Sequence, residues 1–182
     1  GIIGVNGSAF DYGTGKPSPL GMCIKNGIIY GDYMTSYSVM AVKKDGTIYT
    51  PAQGLMGKNL LAAGVKDTYN FGPVLIKDGE AQLPWAETEK YYPRTAVGMV
   101  KPNDYVLLVT DTGSYNGLNH WDMVNIFKSY GCTYAYNLDG GGSATLYFNG
   151  KVMNKLIGNT QRPCADFLYF CLLYTSPSPR DV

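Results

Sequence analysis

The chain has 182 residues, 45% of them hydrophobic and 16% charged, with a formal net charge of +1; this is one domain's worth of ordinary globular sequence and excludes a disordered chain. The charge includes no basic run, which leaves no electrostatic footprint for nucleic acid or an anionic membrane surface, and no apolar run reaches the roughly 18 to 20 residues of a membrane-spanning helix. The four cysteines, Cys23, Cys132, Cys164 and Cys171, lack metal-ligand spacing, which argues against zinc and leaves their pairing open.

In chain order, "GIIGVNG" opens without a Met and already reads as a strand, so the chain is expected to be an N-terminally truncated fragment. "MCIKNGIIYG" places Asn26-Gly27 between two apolar runs, a strong hairpin signal. "MAVKKDGTIYT" repeats it with Asp45-Gly46, "VLIKDGEAQL" with Asp78-Gly79 and "ATLYFNGKVMN" with Asn149-Gly150. Further strands are predicted over "RTAVGMV", "YVLLVT", "CTYAYNL" and "ADFLYFC".

A weak helix is predicted over Lys58 to Ala63, and one main helix over "GLNHWDMVNIFKSYG". In the latter Trp121, Val124 and Phe127 recur at helical spacing, Asn119 and Asp122 form a capping pair, and Gly131 is the stop. His120 opens this helix and reads as a surface capping residue. The fold class is therefore α+β: a mixed, mostly antiparallel sheet with several hairpins and one main helix packed on it. After residue 171 the composition switches abruptly to Ser and Pro, and residues 172–182 are read as a non-native tail.

The stretch that calls for a chemical explanation is "AYNLDGGGSATLYFNG", residues 135–150. A nucleotide-binding phosphate loop would carry Lys and open a helix, whereas this turn lacks the Lys and runs into a hairpin. Three residues without Cβ would let successive N–H groups face one concavity, an arrangement suited to anions. Strand alternation would put Asn137 and Asp139 on one face beside it. A tight turn with Asp139 capping its own backbone accounts for the same residues. Other strand ends carry Asn6 and Gly7 ("VNGSAFD"), Arg94 ("YYPRTAVG"), Asp111 ("LLVTDTG"), Asn154 ("NGKVMN") and Arg162 ("GNTQRPCADF"). Each of these, alone, is adequately explained as a turn residue or a solvated charge.

Together, the ordered blocks "VNGSAFD", "PLGMCIKNG", "PRTAVG", "VLLVTDTG", "YNLDGGGSATL", "NGKVMN" and "QRPCADFLYF" resemble the phosphodiester glycosidase family, with "NLDGGGS" the most specific piece. The resemblance covers about residues 4–170, which makes residues 1–171 the expected domain. The chain departs from the usual pattern at Ser8 and Ala9, where the family shows a glycine and an aromatic, and after Asp111, where the family commonly has Arg and this chain has Thr112, Gly113 and Ser114.

The resemblance implies hydrolysis of sugar-1-phosphodiesters at the anomeric carbon, without a cofactor or metal. The expelled phosphomonoester is already a stable anion, so cations and N–H donors can replace the general acid an ordinary glycosidase needs. On that reading Asp139 is the catalytic carboxylate and Asp111 a second catalytic candidate. Arg94, Arg162, Ser143 and the backbone of Gly140, Gly141 and Gly142 hold the phosphate. Asn6, with Gly7, and Asn137 hold the sugar, and Asn154 orients the glycine turn. The expected partner is a carbohydrate phosphodiester, and the expected location extracellular or the cell envelope. Two alternatives remain open: a non-catalytic module binding phosphorylated glycans, and a phosphodiesterase cleaving P–O, against whose metal-dependent form the single histidine argues.

Overall fold

The computed structural model describes residues 2–13, 15–83, 90–111 and 116–171. The first half of the chain runs through β1 (Ile2–Asn6), β2 (Phe10–Asp11), β3 (Ser18–Pro19), β4 (Cys23–Lys25), β5 (Ile28–Gly31), β6 (Ser38–Lys43) and β7 (Ile48–Tyr49). A short helix α1 (Gly57–Ala62) then leads to β8 (Val65–Phe71), β9 (Val74–Lys77) and β10 (Glu80–Ala81). The second half contains β11 (Thr95–Lys101), β12 (Asp104–Val109), α2 (His120–Ser129), β13 (Tyr134–Leu138), β14 (Leu146–Phe148), β15 (Lys151–Val152) and β16 (Phe167–Cys171). The predicted tail lies outside the described residues.

The hairpin dipeptides do what their backbone chemistry dictates. Asn26 and Gly27, Asp78 and Gly79, and Asn149 and Gly150 have positive φ at both positions, the geometry of the turn that matches the twist of the flanking strands. Asp45-Gly46 differs: only Gly46 has positive φ, and Asp45 instead accepts from the Thr47 N–H at 2.8 Å, a side-chain turn.

Three larger sheets result, with strand orders β10-β9-β13-β11-β12, β15-β14-β1-β16 and β7-β6-β8, and their described pairings are antiparallel. The main core gathers Val5 and Leu168, Met40, Val42 and Tyr69, and Val97, Tyr136 and Leu138, one set from each of the three sheets. The opposite face of the five-stranded sheet is covered by α2 through Met123, Val124 and Phe127. A third cluster, including Met22, Ile24, Leu60 and Val65, lies under α1. The arrangement is α+β, as the patterning predicted.

At the start of α2 the Asn119 side chain accepts from the Asp122 N–H at 2.8 Å, the expected cap. The buried stripe, however, is His120, Met123, Val124 and Phe127, while Trp121 is 41% exposed. The expectation of a surface His120 is thus corrected. The phase of the helix is set by contact with β11, where Gly98 leaves room for Phe127 and Cys132, and that phase turns His120 inward and Trp121 outward.

Candidate functional site

Three strand ends meet at the glycine turn. The Asp139 N–H donates to the Gly7 carbonyl at 3.0 Å and the Gly141 N–H to the Pro93 carbonyl at 2.8 Å, which joins the ends of β1 and β13 and the residue pair preceding β11. Asn6, fully buried, is the tie between them. Its Nδ2 donates to the Asp139 carbonyl at 2.6 Å, and its Oδ1 accepts from Thr95 Oγ1 at 2.7 Å and the Thr145 N–H at 3.0 Å. The structure therefore gives Asn6 a positioning task, holding the main chain of Asp139 in place.

The glycines answer two steric demands. A Cβ on Gly140 would stand 2.6 Å from the Pro93 carbonyl oxygen, and one on Gly142 would stand 2.5 Å from Arg162 Nη2, both inside contact distance. The expectation that the three successive glycine N–H groups converge on an anion is corrected for Gly140 and Gly141, whose N–H groups are bonded to protein oxygens. Gly140 N–H donates to Asp139 Oδ1, Gly141 N–H to Pro93, Ser143 N–H to Gly140 and Ala144 N–H to Gly141. Gly141 adopts φ 58°, and residues 141–143 wind as a short 3₁₀ turn, which directs these donors inward.

Asp139 is half-buried. Burial pushes its carboxyl above the usual carboxylate range; hydrogen bonds from Ser143 and the Gly140 N–H and the charge of Arg162 oppose the shift, and the charge of Asp166 adds to it. Ser143 is fully buried and is shared, since Arg162 Nη1 approaches its Oγ at 3.4 Å. The Arg162 side chain is exposed. Its loop is anchored by Tyr12, whose hydroxyl donates to the Pro163 carbonyl at 2.9 Å. Cys164 completes this wall; burial raises its thiol pKa, against a hydrogen bond with Ser143.

Of the other sequence-predicted residues, Asn154 lies at the exit of the turn as expected, while the side chains of Asn137, Arg94 and Asp111 make their bonds to other segments. Asn137 donates through Nδ2 to the Gly72 carbonyl at 2.7 Å, and its buried Oδ1 has no partner among the described residues. Strand β13 ends at Leu138, so the alternation expected to set Asn137 and Asp139 on one face stops before it reaches Asp139. Arg94 lays its backbone against the glycine turn, but its guanidinium donates to the carbonyls of Leu118 and Lys90 at 3.2 and 3.0 Å and lies 5.2 Å from the Tyr92 ring. Asn154 brackets the exit of the turn, donating to the Ala144 carbonyl at 2.9 Å and accepting from the Leu146 N–H at 2.8 Å. Asp111 accepts from the Lys155 N–H at 2.9 Å. It lines, with Asn154, Tyr91, Thr110 and Leu118, a cleft of about 650 Å³. The contrast of Thr112, Gly113 and Ser114 with the family pattern falls outside the described residues.

Sequence reasoning missed Asp166. It accepts from the Ser8 N–H at 2.6 Å and Ser8 Oγ at 2.8 Å and pairs with Lys25 Nζ at 2.8 Å. Its signal was visible, a carboxylate directly before an apolar strand, at the opposite strand end from that of Asp111 and Asp139. The four cysteines are unpaired. Among the described residues no three His, Cys, Asp or Glu side chains group in a way that could hold a metal ion, and no helix is long and apolar enough to cross a membrane.

Residues 1–171 match the phosphodiester glycosidase family. The chain belongs to that family. Among curated proteins it is 29% identical over 178 residues to the SPbeta prophage-derived protein YomE of Bacillus subtilis, covering 92% of this chain and 27% of that protein. It is 27% identical over 195 residues to the N-acetylglucosamine-1-phosphodiester alpha-N-acetylglucosaminidase of Mus musculus, covering 93% and 35% respectively. The chain thus spans about a third or less of the length of these relatives. The fold is that of the catalytic domain of the zebrafish N-acetylglucosamine-1-phosphodiester alpha-N-acetylglucosaminidase, with a TM-score of 0.70 at 23% identity over 91% of this chain and 60% of that one. A protein from Synechocystis superposes with a TM-score of 0.60 at 12% identity, over 92% of this chain and 50% of that one. Phosphodiester glycosidase membership places the chain in a family of hydrolases; the glycine turn described above lies within the matched residues.

Proposed function

We propose that this phosphodiester glycosidase domain hydrolyses sugar-1-phosphodiesters at the anomeric carbon, releasing N-acetylglucosamine or a similar sugar. The observation that carries the reading is the convergence of Asp139 and Arg162 on Ser143 beside the bare glycine turn. Supporting it, the mouse and bovine relatives bear the name of an N-acetylglucosamine-1-phosphodiester alpha-N-acetylglucosaminidase. We further propose, from the family resemblance, that the chain acts extracellularly or at the cell envelope.

In this mechanism the exposed Arg162 fork binds two oxygens of the substrate phosphate. It therefore neutralises the phosphomonoester as it leaves. Asp139, ionised above its raised pKa, acts on the sugar side, as base for water or as nucleophile and stabiliser of the oxocarbenium-like centre. Asn6 and Ser143 hold it there, one through its backbone and the other through its side chain. Partial burial assists, because an ion in a poorly solvated site acts through a lower effective dielectric than in water. Asp111, Asn154 and their cleft are assigned to the remainder of the substrate, and Arg94 to holding the wall of the turn.

Hydrolysis of UDP-N-acetylglucosamine or another sugar-1-phosphodiester in oxygen-18 water, followed by mass spectrometry of the phosphate product after a single turnover, tests the bond broken. Attack at carbon leaves the phosphate unlabelled, which is the expected result. Labelled phosphate would mean P–O cleavage, and binding without any product would mean a glycan-binding module.

A further inference from the structure

The Asp166 carboxylate is placed and neutralised with a precision that the end of an outer strand does not require. It accepts from both polar groups of Ser8 and is paired with Lys25, and its own backbone carbonyl accepts from the Gly7 N–H at 3.1 Å. Gly7 is so close that a Cβ there would collide with Asp166 Oδ1, and the carbonyl of this same Gly7 receives the Asp139 N–H. Lys25 is fixed in turn: Nζ donates to the Thr68 carbonyl at 2.7 Å and lies 3.4 Å from the centre of the Tyr69 ring. The side chains of the pair are 22% and 8% exposed, so water screens them weakly.

We propose that Asp166 is a positioning residue for Asp139: pinned by Lys25 and Ser8, it holds the end of β1 from which the Asp139 backbone hangs and keeps a second negative charge beside the working carboxylate. In its bearing on turnover this rests on the proposed function; in its bearing on the Asp139 carboxyl it does not. The charged and titratable groups around Asp139 are Arg162 and Cys164 from the segment before β16 and Asp166 from the edge of that strand. Around Asp166 stand Lys25 from β4, Cys23 from the same strand and Tyr69 from β8. Of these, Asp166 opposes ionisation of Asp139 as the smallest of the influences on it, and Lys25 sets an opposite charge 2.8 Å from Asp166. Removing the acid and removing its partner must therefore act in opposite directions.

The experiment is a carboxyl carbon-13 NMR titration of the wild type, Asp166→Asn and Lys25→Met, with the Asp139 signal assigned by its loss in Asp139→Asn. The acid limb of diester hydrolysis is recorded on the same three proteins, and circular dichroism confirms that each is folded. Asp166→Asn is expected to move the Asp139 midpoint to lower pH and Lys25→Met to move it to higher pH, the acid limb following each. Midpoints that stay in place, or that move the same way in both variants, would overturn the proposal. Should Asp166→Asn fail to fold, the upward shift in Lys25→Met, or its absence, decides alone. Opposite NMR shifts in a protein that hydrolyses no diester would overturn the proposed function and leave the coupling of Asp166 to Asp139 standing.

Discussion

Arg162 lies across Gly142, with Nη2 where a Cβ would be only 2.5 Å away. The obstacle is the far end of an exposed, flexible side chain, so Gly142→Ala should displace the guanidinium while leaving stability nearly unchanged. The expected result is a KM for a sugar-1-phosphodiester raised about tenfold, one charge-assisted hydrogen bond's worth. Gly140→Ala meets a backbone oxygen that cannot swing aside. That variant should lose about 2 kcal/mol or more of stability. Thermal melts and steady-state kinetics of the two variants distinguish them.

Asp139→Asn should abolish turnover without lowering the melting temperature at pH 7. The sign follows from linkage. Burial raises the folded-state pKa of Asp139 above its unfolded value, so the folded state binds the proton more tightly. Stability from this group is therefore lost as pH rises through the window between the usual carboxylate value and the raised one. At neutral pH the ionised carboxylate opposes folding, and a neutral isostere relieves it. The corresponding activity gain with rising pH should begin above the ordinary carboxylate range, which a pH profile of kcat/KM checks.

Arg162→Lys and Arg94→Lys should separate binding from scaffolding. Lysine offers a point charge where arginine offers a planar fork, and Arg162 holds its fork open to solvent. The Arg162 variant should lose about tenfold or more in kcat/KM at unchanged stability. The Arg94 guanidinium is bonded to the carbonyls of Leu118 and Lys90. Its variant should chiefly lower the melting temperature. Wild-type kinetics in Arg162→Lys would remove that residue from the phosphate site.

Asn6→Ala should lower stability and activity together. It leaves the buried Thr95 hydroxyl and Thr145 N–H without their acceptor and frees the Asp139 carbonyl. Unsatisfied buried groups at about 1–3 kcal/mol each predict a total loss of about 2–4 kcal/mol. Chemical denaturation of the variant gives that number directly.

What this sequence determined by itself was local or carried by contiguous motif. The hairpins at Asn26-Gly27, Asp78-Gly79 and Asn149-Gly150 and the Asn119 cap were legible because each is decided by residues no more than a few positions apart. The family was legible in "NLDGGGS" and its companion blocks. The partners of each strand end were decided by tertiary structure alone. Asn6 meets Asp139 across 133 residues and Ser8 meets Asp166 across 158. Alternation along one strand gives the face of a side chain but not which other strand end arrives there. Hence Asn137 turned to Gly72, Arg94 to Leu118, and His120, the first residue of α2, inward. The physical reason is that a buried polar group takes whichever partner the assembled sheets bring within hydrogen-bond reach, and that choice exists only once the sheets have come together.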